Sequence, residues 1–231
     1  MTYRAAVFDL FGTLVDPVDG PAYWRLLERI AGVLDLPPDD FRDLWRKTSR
    51  ERNLGIYPDL RASFAYIAGQ LGSPATPSRL DEASRLRSAY ETGVLVPRPD
   101  TVTTLETIRR AGIKTALVSN CSGSVPALWG DSSLQNLFDA TVFSCRVGLM
   151  KPDPRIYRLV LDAFGVPPEA CLYVGDGAGR ELTGASEVGM RAVLIRDPDD
   201  DTDLRYAARE DDWSGDRVSY LREILPMLGL A

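Results

Sequence analysis

The sequence contains no histidine among its 231 residues. This absence excludes Ser-His-Asp triads, HExxH zinc sites and phosphohistidine intermediates, because each of them requires an imidazole side chain. If the protein is an enzyme, its site must therefore use carboxylates, hydroxyls, amines or a bound metal.

Cysteine is scarce as well. The chain has three cysteines, Cys121, Cys145 and Cys171, and no two of them form a CxxC motif. An odd number without that spacing predicts neither a disulfide framework nor a structural zinc site. Because free thiols persist in reducing compartments, we expect a cytoplasmic protein.

Clustered positive charge and long apolar runs are also lacking. The net charge of −6 argues against a surface that binds the phosphates of nucleic acid. No apolar run approaches the roughly 18 residues that span a bilayer, and the N-terminus has no signal-peptide segment. With 45% hydrophobic and 26% charged residues, the composition is that of an ordinary globular protein. We therefore expect a small-molecule substrate rather than a nucleic acid or a membrane.

Five short apolar runs predict the strands of a parallel sheet. They are continuous rather than alternating, as in strands covered on both faces, and they occupy residues 5–9, 115–119, 140–144, 171–175 and 191–195. Helical segments that end at glycine separate them, at 101–112, 154–165 and 181–189. This alternation predicts an α/β fold with a Rossmann-like, doubly wound parallel sheet.

The segment between the first and second strands is long and helical. Apolar residues recur there at three- and four-residue spacing, over 22–34, 39–52, 60–72 and 78–93. We predict a helical cap domain at 16–95, inserted into an α/β core that is formed by 1–15 and 96–231. Farther along, the acidic stretch 197–203 lacks the glycine and glutamate of a calcium loop and is interpreted as solvated, and a short helix is predicted near 216–228.

Chemically useful side chains follow the ends of the predicted strands, where parallel α/β sheets bind ligands. In chain order they are Asp9, Ser119, Asn120, Lys151, Asp176 and Glu181. Taken singly, each has a structural interpretation, as a helix cap, a turn former or a solvated lysine. Their joint occurrence at successive strand ends favours a catalytic site.

The order DxxGT, SN, KPDP and GDxxxxE resembles the haloacid dehalogenase-like (HAD-like) hydrolase superfamily. KPDPRIY at 151–157 and GDGAGRELTGASEVGM at 175–190 are its most specific stretches, and the resemblance covers nearly the whole chain. The helical segment after the first motif is similar to the small helical cap of the family's first type.

The resemblance implies roles for these residues. Asp9 is the implied nucleophile, Lys151 orients it and offsets its charge, and Asp176 and Glu181 bind Mg²⁺, the latter directly or through water. The resemblance also implies that Thr13 and Ser119 hold the phosphoryl group during its transfer, and Asn120 belongs to the same motif as Ser119. The chemistry agrees, because a carboxylate that attacks a phosphate dianion needs a metal and a lysine to neutralise the repulsion.

Phe11 departs from the pattern of most phosphatases in the family, which carry a second aspartate two residues after the nucleophile. Its backbone carbonyl can still serve as a metal ligand, as the family's does, but its ring cannot donate a proton. General acid–base help is worth roughly a hundred- to ten-thousand-fold in rate. Asp16, Tyr23 or a residue of the cap is therefore a candidate replacement.

The 2-haloacid dehalogenases of the family also lack that second acid and need no metal. LWRKTSRER at 44–52 is faintly similar to their cap, which makes Arg46 a candidate substrate-binding residue, although a solvated helix face is the alternative interpretation. Against dehalogenation, Gly175 and Asp176 stand where dehalogenases have Ser-Ser-Asn.

Electrostatic repulsion among Asp9, Asp176 and Glu181 favours the hypothesis of a metal-dependent site. Two like charges about 4 Å apart cost on the order of 4 kcal/mol at an effective dielectric constant of 20, and a bound Mg²⁺ removes that cost. We predict a Mg²⁺-dependent phosphatase acting through Asp9. A metal-free 2-haloacid dehalogenase and a weakened binding protein are the alternatives. The sequence leaves the substrate and the oligomeric state open.

Overall fold

A computed structural model describes residues 2–18, 20–198 and 212–230. Its strands form one parallel sheet in the order β3-β2-β1-β4-β5-β6, which confirms the predicted Rossmann-like α/β fold. The strands are β1 (Ala5–Phe8), β2 (Lys114–Ser119), β3 (Ala140–Phe143), β4 (Cys171–Gly175), β5 (Arg191–Ile195) and β6 (Asp216–Val218).

Helices cover both faces of the sheet and fill the connection between β1 and β2. Those of the connection are α1 (Gly20–Leu34), α2 (Pro38–Lys47), α3 (Ser49–Asn53), α4 (Leu60–Gln70) and α5 (Pro77–Val94). Those after it are α6 (Thr101–Arg110), α7 (Ser124–Leu128), α8 (Ser144–Val147), α9 (Pro154–Phe164) and α10 (Glu181–Glu187). None of the helices in the described part of the chain is long and apolar enough to cross a membrane.

The sheet is buried on both faces, which explains why its strands are continuously apolar. Along β1, Ala6 and Phe8 belong to one hydrophobic cluster, whereas Ala5 and Val7 belong to the cluster on the opposite face. Successive side chains of a strand point to opposite faces, so both faces need apolar residues. β1 lies between β2 and β4, and its carboxyl end is therefore at the middle of the edge.

The helices α1 to α5 pack around a hydrophobic cluster of their own. Trp45 stacks on Phe64 with ring centroids 5.2 Å apart, and Phe41 completes the aromatic group. The Trp45 indole N–H donates a hydrogen bond to the Tyr23 hydroxyl over 2.8 Å. This hydrogen bond joins α2 to α1 and gives the buried indole N–H a partner.

Two predicted helices differ from the structure. The helix predicted at 39–52 is divided at Thr48, whose hydroxyl donates to the Leu44 carbonyl. The helix predicted near 216–228 is wrong, because Asp216–Val218 pairs with β5 and short 3₁₀ turns follow. Pro226 has no N–H to give to a continuous helix. Residues 199–203 of the acidic stretch lie outside the described residues.

Candidate active site

Three carboxylates and one ammonium are buried together at the carboxyl edge of the sheet. Asp9 follows β1, Asp176 follows β4 and Glu181 begins α10, and their exposed fractions are 6%, 2% and 0%. One oxygen of each lies within 4.8 Å of one oxygen of each of the others. Lys151, which is 5% exposed, supplies the ammonium. The topology thus brings together the acidic residues that the sequence identifies.

Lys151 joins two of the three carboxylates. Its Nζ donates to Asp9 Oδ1 over 2.5 Å and also to Glu181 Oε2, and it lies 3.2 Å from the Tyr173 hydroxyl. Asn120 holds the backbone of this lysine from both sides: its Oδ1 accepts from the Lys151 N–H over 2.9 Å and its Nδ2 donates to the Lys151 carbonyl over 3.1 Å. Asn120 therefore positions Lys151.

Glu181 has hydrogen-bond donors on both of its oxygens. Its Oε1 accepts from the Gly177 N–H over 3.0 Å, and its Oε2 accepts from the Tyr173 hydroxyl over 2.8 Å as well as from Lys151. Gly175 allows this approach, because a Cβ there would meet Glu181 Oε1 at 2.3 Å. Glu181 is thus better placed to hold Lys151 than to offer an oxygen directly to a metal.

Burial and like charge shift the protonation of this cluster. Burial raises the pKa of Glu181 to about 8, and the charge of Asp9 acts in the same direction while Lys151 opposes it. Burial alone would lower the pKa of Lys151, but the charges of Asp9 and Glu181 outweigh it and raise that pKa. The lysine therefore remains an ammonium at neutral pH.

The donor set fits a hard divalent cation. With every group ionised, the three carboxylates and Lys151 sum to −3 + 1 = −2, which one divalent ion balances. Mg²⁺ prefers oxygen ligands and usually takes only one or two carboxylates. Asp9 and Asp176 are candidates for this role because both belong to the cluster at the strand ends, and Asp176 Oδ1 is fixed there by a hydrogen bond from the Ala178 N–H over 2.9 Å.

Stabilisation by Mg²⁺ is expected to increase with pH. Because the pKa of Glu181 is about 8, this carboxyl is mostly protonated in the folded protein at pH 6 and mostly ionised at pH 9. Proton and cation compete for the same cluster, so the rise in melting temperature on adding MgCl₂ should be larger at pH 9. Scanning calorimetry at both pH values, with NaCl of equal ionic strength as the reference, measures it.

Asp176→Asn provides the control for this experiment and should lose the Mg²⁺-dependent part of the rise. An equal rise at both pH values would contradict competition with the Glu181 proton. No rise at either pH would contradict metal binding at this cluster.

Thr13 and Ser119 are buried beside the cluster. The Thr13 hydroxyl lies 3.4 Å from Asp9 Oδ2, and the Ser119 hydroxyl makes no hydrogen bond to any described residue. Neither residue is among those that line the adjoining cavity in the described structure. A buried hydroxyl without a partner is costly, so Ser119 is suited to bind a ligand oxygen that reaches the strand end.

A cavity of about 290 Å³ lies between this cluster and the helices of the long connection. Asp9, Lys151 and Asp176 line it on the side of the sheet. Phe11 lines it too and packs against the core, so its ring replaces an acid with apolar surface. The residues that line it from the connection include Tyr23, Trp45, Arg52, Arg87, Tyr90 and Glu91.

Arg46, the candidate substrate-binding residue, lies elsewhere. Its side chain is 67% exposed and pairs with Asp43, because Trp45 turns inward and the next helical position turns outward. Arg52 is the buried arginine at this wall: its guanidinium carbon lies 3.5 Å from the Trp45 ring centroid and its Nη2 donates to the Trp45 carbonyl. Arg46 thus lies on a solvated helix face, as the alternative interpretation has it, and a role in substrate binding stays a prediction.

Asp16 and Tyr23, the two named candidates for the missing acid, differ in their position relative to the cavity. Asp16 is 82% exposed, pairs with Arg98 and does not line the cavity in the described structure. Tyr23 lines it and accepts the hydrogen bond from Trp45.

Sequence reasoning missed Tyr173, Arg52, Arg87 and Glu91. Tyr173 gives a weak signal, as the polar-tipped residue within the apolar run CLYVG. The other three give none, because only the folding of the connection over the sheet brings them to Asp9.

A family model for haloacid dehalogenase-like hydrolases matches residues 3–189. The chain belongs to this family. Membership of this family makes the chain a hydrolase, and the cluster at the carboxyl edge of the sheet agrees with that assignment.

HAD-like relatives of this chain include both dehalogenases and phosphatases. (S)-2-haloacid dehalogenase 1 from Pseudomonas sp. (strain CBS-3) is 30% identical over 201 residues, which cover 83% of this chain and 84% of that protein. Phosphoserine phosphatase from Thermus thermophilus is 37% identical over 117 residues, 46% of each chain. The chain spans less than half the length of some curated relatives that it matches.

Solved HAD-like structures share the fold over the whole chain. The crystal structure of a HAD phosphatase from Thermococcus onnurineus superposes with a TM-score of 0.67 over 98% of both chains, at 22% sequence identity. This likeness supports the architecture and leaves the choice of reaction to the site.

Proposed function

We propose that this HAD-like hydrolase is a Mg²⁺-dependent phosphatase that acts on a small phosphorylated molecule through Asp9. The observation that carries the proposal is the excess of buried negative charge, three carboxylates against one ammonium within the same cluster. At neutral pH, protonation of Glu181, whose pKa is raised to about 8, offsets only one of the two excess charges, and a metal-free site would leave the other uncompensated where an anionic substrate must bind.

The proposed reaction has two displacements. A carboxylate oxygen of Asp9 attacks phosphorus, the bond to the leaving oxygen breaks, and an aspartyl-phosphate forms. Water then attacks that phosphorus, which releases inorganic phosphate and restores the carboxylate. Asp9, Asp176 and the Phe11 carbonyl would hold Mg²⁺, with Glu181 behind them, and the ion would supply charge neutralisation for the phosphoryl oxygens.

The remaining residues orient and neutralise. Lys151 fixes Asp9 Oδ1 by its 2.5 Å hydrogen bond and leaves Oδ2 as the attacking atom, while Asn120 fixes Lys151. Thr13, whose hydroxyl lies near Oδ2, and Ser119, whose hydroxyl lacks a partner among the described residues, are suited to hold the phosphoryl group.

The division into domains follows the same proposal. Residues 1–15 and 96–231 form the catalytic core, and residues 16–95 form a cap that admits the substrate. The separate hydrophobic cluster of α1 to α5 supports this division. The free thiols of Cys121, Cys145 and Cys171 support a cytoplasmic location.

A 2-haloacid dehalogenase is the second candidate, favoured by Phe11. In that reaction Asp9 attacks carbon, halide leaves without needing a proton, and water hydrolyses the resulting ester. Phe11 lines the cavity where a phosphatase of this family would carry an acid. The dehalogenase relative, which matches 83% of this chain, supports the same alternative.

One paired assay separates the candidates. The purified protein is given a panel of phosphorylated metabolites with Mg²⁺, and 2-chloropropionate with EDTA, while phosphate and halide are measured. Phosphate release that EDTA abolishes is the expected result. Halide release in EDTA would replace the proposal with dehalogenation. Binding of Mg²⁺ and phosphate without turnover would indicate a binding protein.

A further inference from the structure

We propose that Glu91 of α5 is the general acid and base of this site, in place of the aspartate that Phe11 displaces. The inference rests on the proposed phosphatase function. It assigns to the cap a catalytic residue that protonates the leaving oxygen and then deprotonates the attacking water.

Glu91 is a buried carboxyl on the cap side of the cavity. Its exposed fraction is 2%, and it lines the same 290 Å³ cavity as Asp9. Oε1 lies 2.7 Å from the Arg87 guanidinium, whereas Oε2 is buried and makes no hydrogen bond to any described residue. A buried carboxyl oxygen without a partner is costly, so this atom is suited to carry a proton or to bind a ligand.

Elimination among the lining residues also leads to Glu91. In the described structure the carboxyl groups that line the cavity are those of Asp9, Asp176 and Glu91. Asp9 is the proposed nucleophile and Asp176 belongs to the metal cluster. Glu91 is therefore the remaining carboxyl, and it belongs to neither group.

The position of Glu91 suits the direction of the reaction. In an in-line displacement the leaving oxygen departs on the side of phosphorus opposite the attacking oxygen. Asp9 attacks from the sheet, so the leaving group points towards the helices of the cap. Glu91 lies on that wall, and Phe11 follows Asp9 on the wall of the sheet.

The proton balance closes over the two steps. As the bond from phosphorus to the leaving oxygen breaks, protonated Glu91 gives its proton to that oxygen, which departs as a neutral alcohol. The Glu91 carboxylate then takes one proton from the water that attacks the aspartyl-phosphate. Phosphate leaves, and Glu91 is protonated again for the next cycle.

The surroundings of Glu91 favour its protonated form more than those of an exposed glutamate do. Burial raises its pKa, while Arg87 and the Ser124 hydroxyl act in the opposite direction. Other titratable groups face it from the packed elements and the cavity wall: Tyr23 of α1, Arg52 of α3, Tyr90 of its own helix and Cys121 after β2. From α4, Arg61 pairs with Asp81 near the far end of α5.

The test compares two leaving groups in Glu91→Gln. An alkyl phosphate needs a proton on its leaving oxygen, whereas p-nitrophenyl phosphate does not. We expect kcat/KM on the alkyl phosphate, which reports the steps up to departure of the alcohol, to fall about a hundredfold or more, and kcat/KM on p-nitrophenyl phosphate to change less than about threefold. Hydrolysis of the aspartyl-phosphate is common to both substrates, so loss of the base lowers kcat on both. Glu82→Gln is the matched control, because it alters a carboxyl on the solvent side of the same helix.

A second variant tests whether another carboxyl can supply the proton that Glu91→Gln no longer donates. Phe11→Asp in the Glu91→Gln background should recover at least about tenfold of the activity on the alkyl phosphate. Recovery would not follow if Glu91→Gln acted by loosening the cap. Equal losses of kcat/KM on both substrates would overturn the role of Glu91 as the acid while leaving phosphatase activity in place.

The wild-type protein supplies a measurement that does not depend on folding of the variant. With an acid in place, kcat/KM should depend only weakly on the basicity of the leaving oxygen across a series of alkyl and aryl phosphates. A steep dependence would overturn the proposal for Glu91. No phosphate release from any member of the series would instead overturn the proposed function.

Discussion

Asp9→Asn is expected to abolish hydrolysis of every substrate, with a loss of about ten-thousandfold or more in kcat. The amide cannot form the covalent intermediate, and no described carboxyl lies at the same strand end to replace it. The fold should persist, because removing this charge lowers the repulsion that raises the pKa of Glu181. Single-turnover assays and thermal melts measure the two effects separately.

Asp16→Asn is the control for this variant. Asp16 is an exposed carboxyl, and we expect its replacement to leave kcat unchanged. Brief turnover followed by acid quench should detect phosphate bound covalently to the wild-type protein and none bound to Asp9→Asn. Full activity in Asp9→Asn would mean that another residue or water is the nucleophile, and the mechanism would have to be abandoned.

Lys151→Met is expected to be the most destabilising single change in the site. The substitution removes the ammonium that Asp9 and Glu181 share, and it leaves both carboxylates buried. Removing one partner of a buried ion pair costs about 3–5 kcal/mol. The free energy of unfolding from urea titration should therefore fall by about that amount, and kcat should fall because Asp9 loses its orientation.

Lys114→Met is the matched control. Lys114 also pairs with an aspartate, Asp139, but its side chain is 56% exposed. Exposed pairs contribute about 0–1 kcal/mol, so the change in unfolding free energy should stay within that range. Added Mg²⁺ should recover part of the stability that Lys151→Met loses. Equal destabilisation by the two variants would show that the buried ion pairs of Lys151 contribute no more to stability than the exposed pair of Lys114.

The sequence predicts the sheet and the side chains at its carboxyl edge better than it predicts the helices that line the other side of the cavity. Continuous apolar runs identify five of the strands, and topology then brings Asp9, Asp176 and Glu181 to one edge. β6 was not predicted, because it has three residues and its pattern is not apolar. A strand of that length depends on its neighbour, β5, more than on its own residues.

The helices of the connection between β1 and β2 show the opposite balance. Periodicity predicts these helices, yet it does not reveal which face looks towards Asp9. Arg46 is an example, since the chain changes direction at the break at Thr48 and Arg52, rather than Arg46, lines the cavity. In the sequence Glu91 cannot be distinguished from an exposed helical glutamate, because its burial results from tertiary packing alone.

The wide sequence separation within the site has a consequence for biosynthesis. The Asp9–Lys151 hydrogen bond spans 142 positions, and the Lys151–Glu181 bond spans 30 more. Chains are made from the N-terminus, so Asp9 leaves the ribosome first and Glu181, the last carboxylate of the cluster, much later. A nascent or truncated chain thus carries Asp9 without the lysine that orients it and without the other two carboxylates of the cluster. The buried cluster is complete only when β1, β4 and α10 have come together.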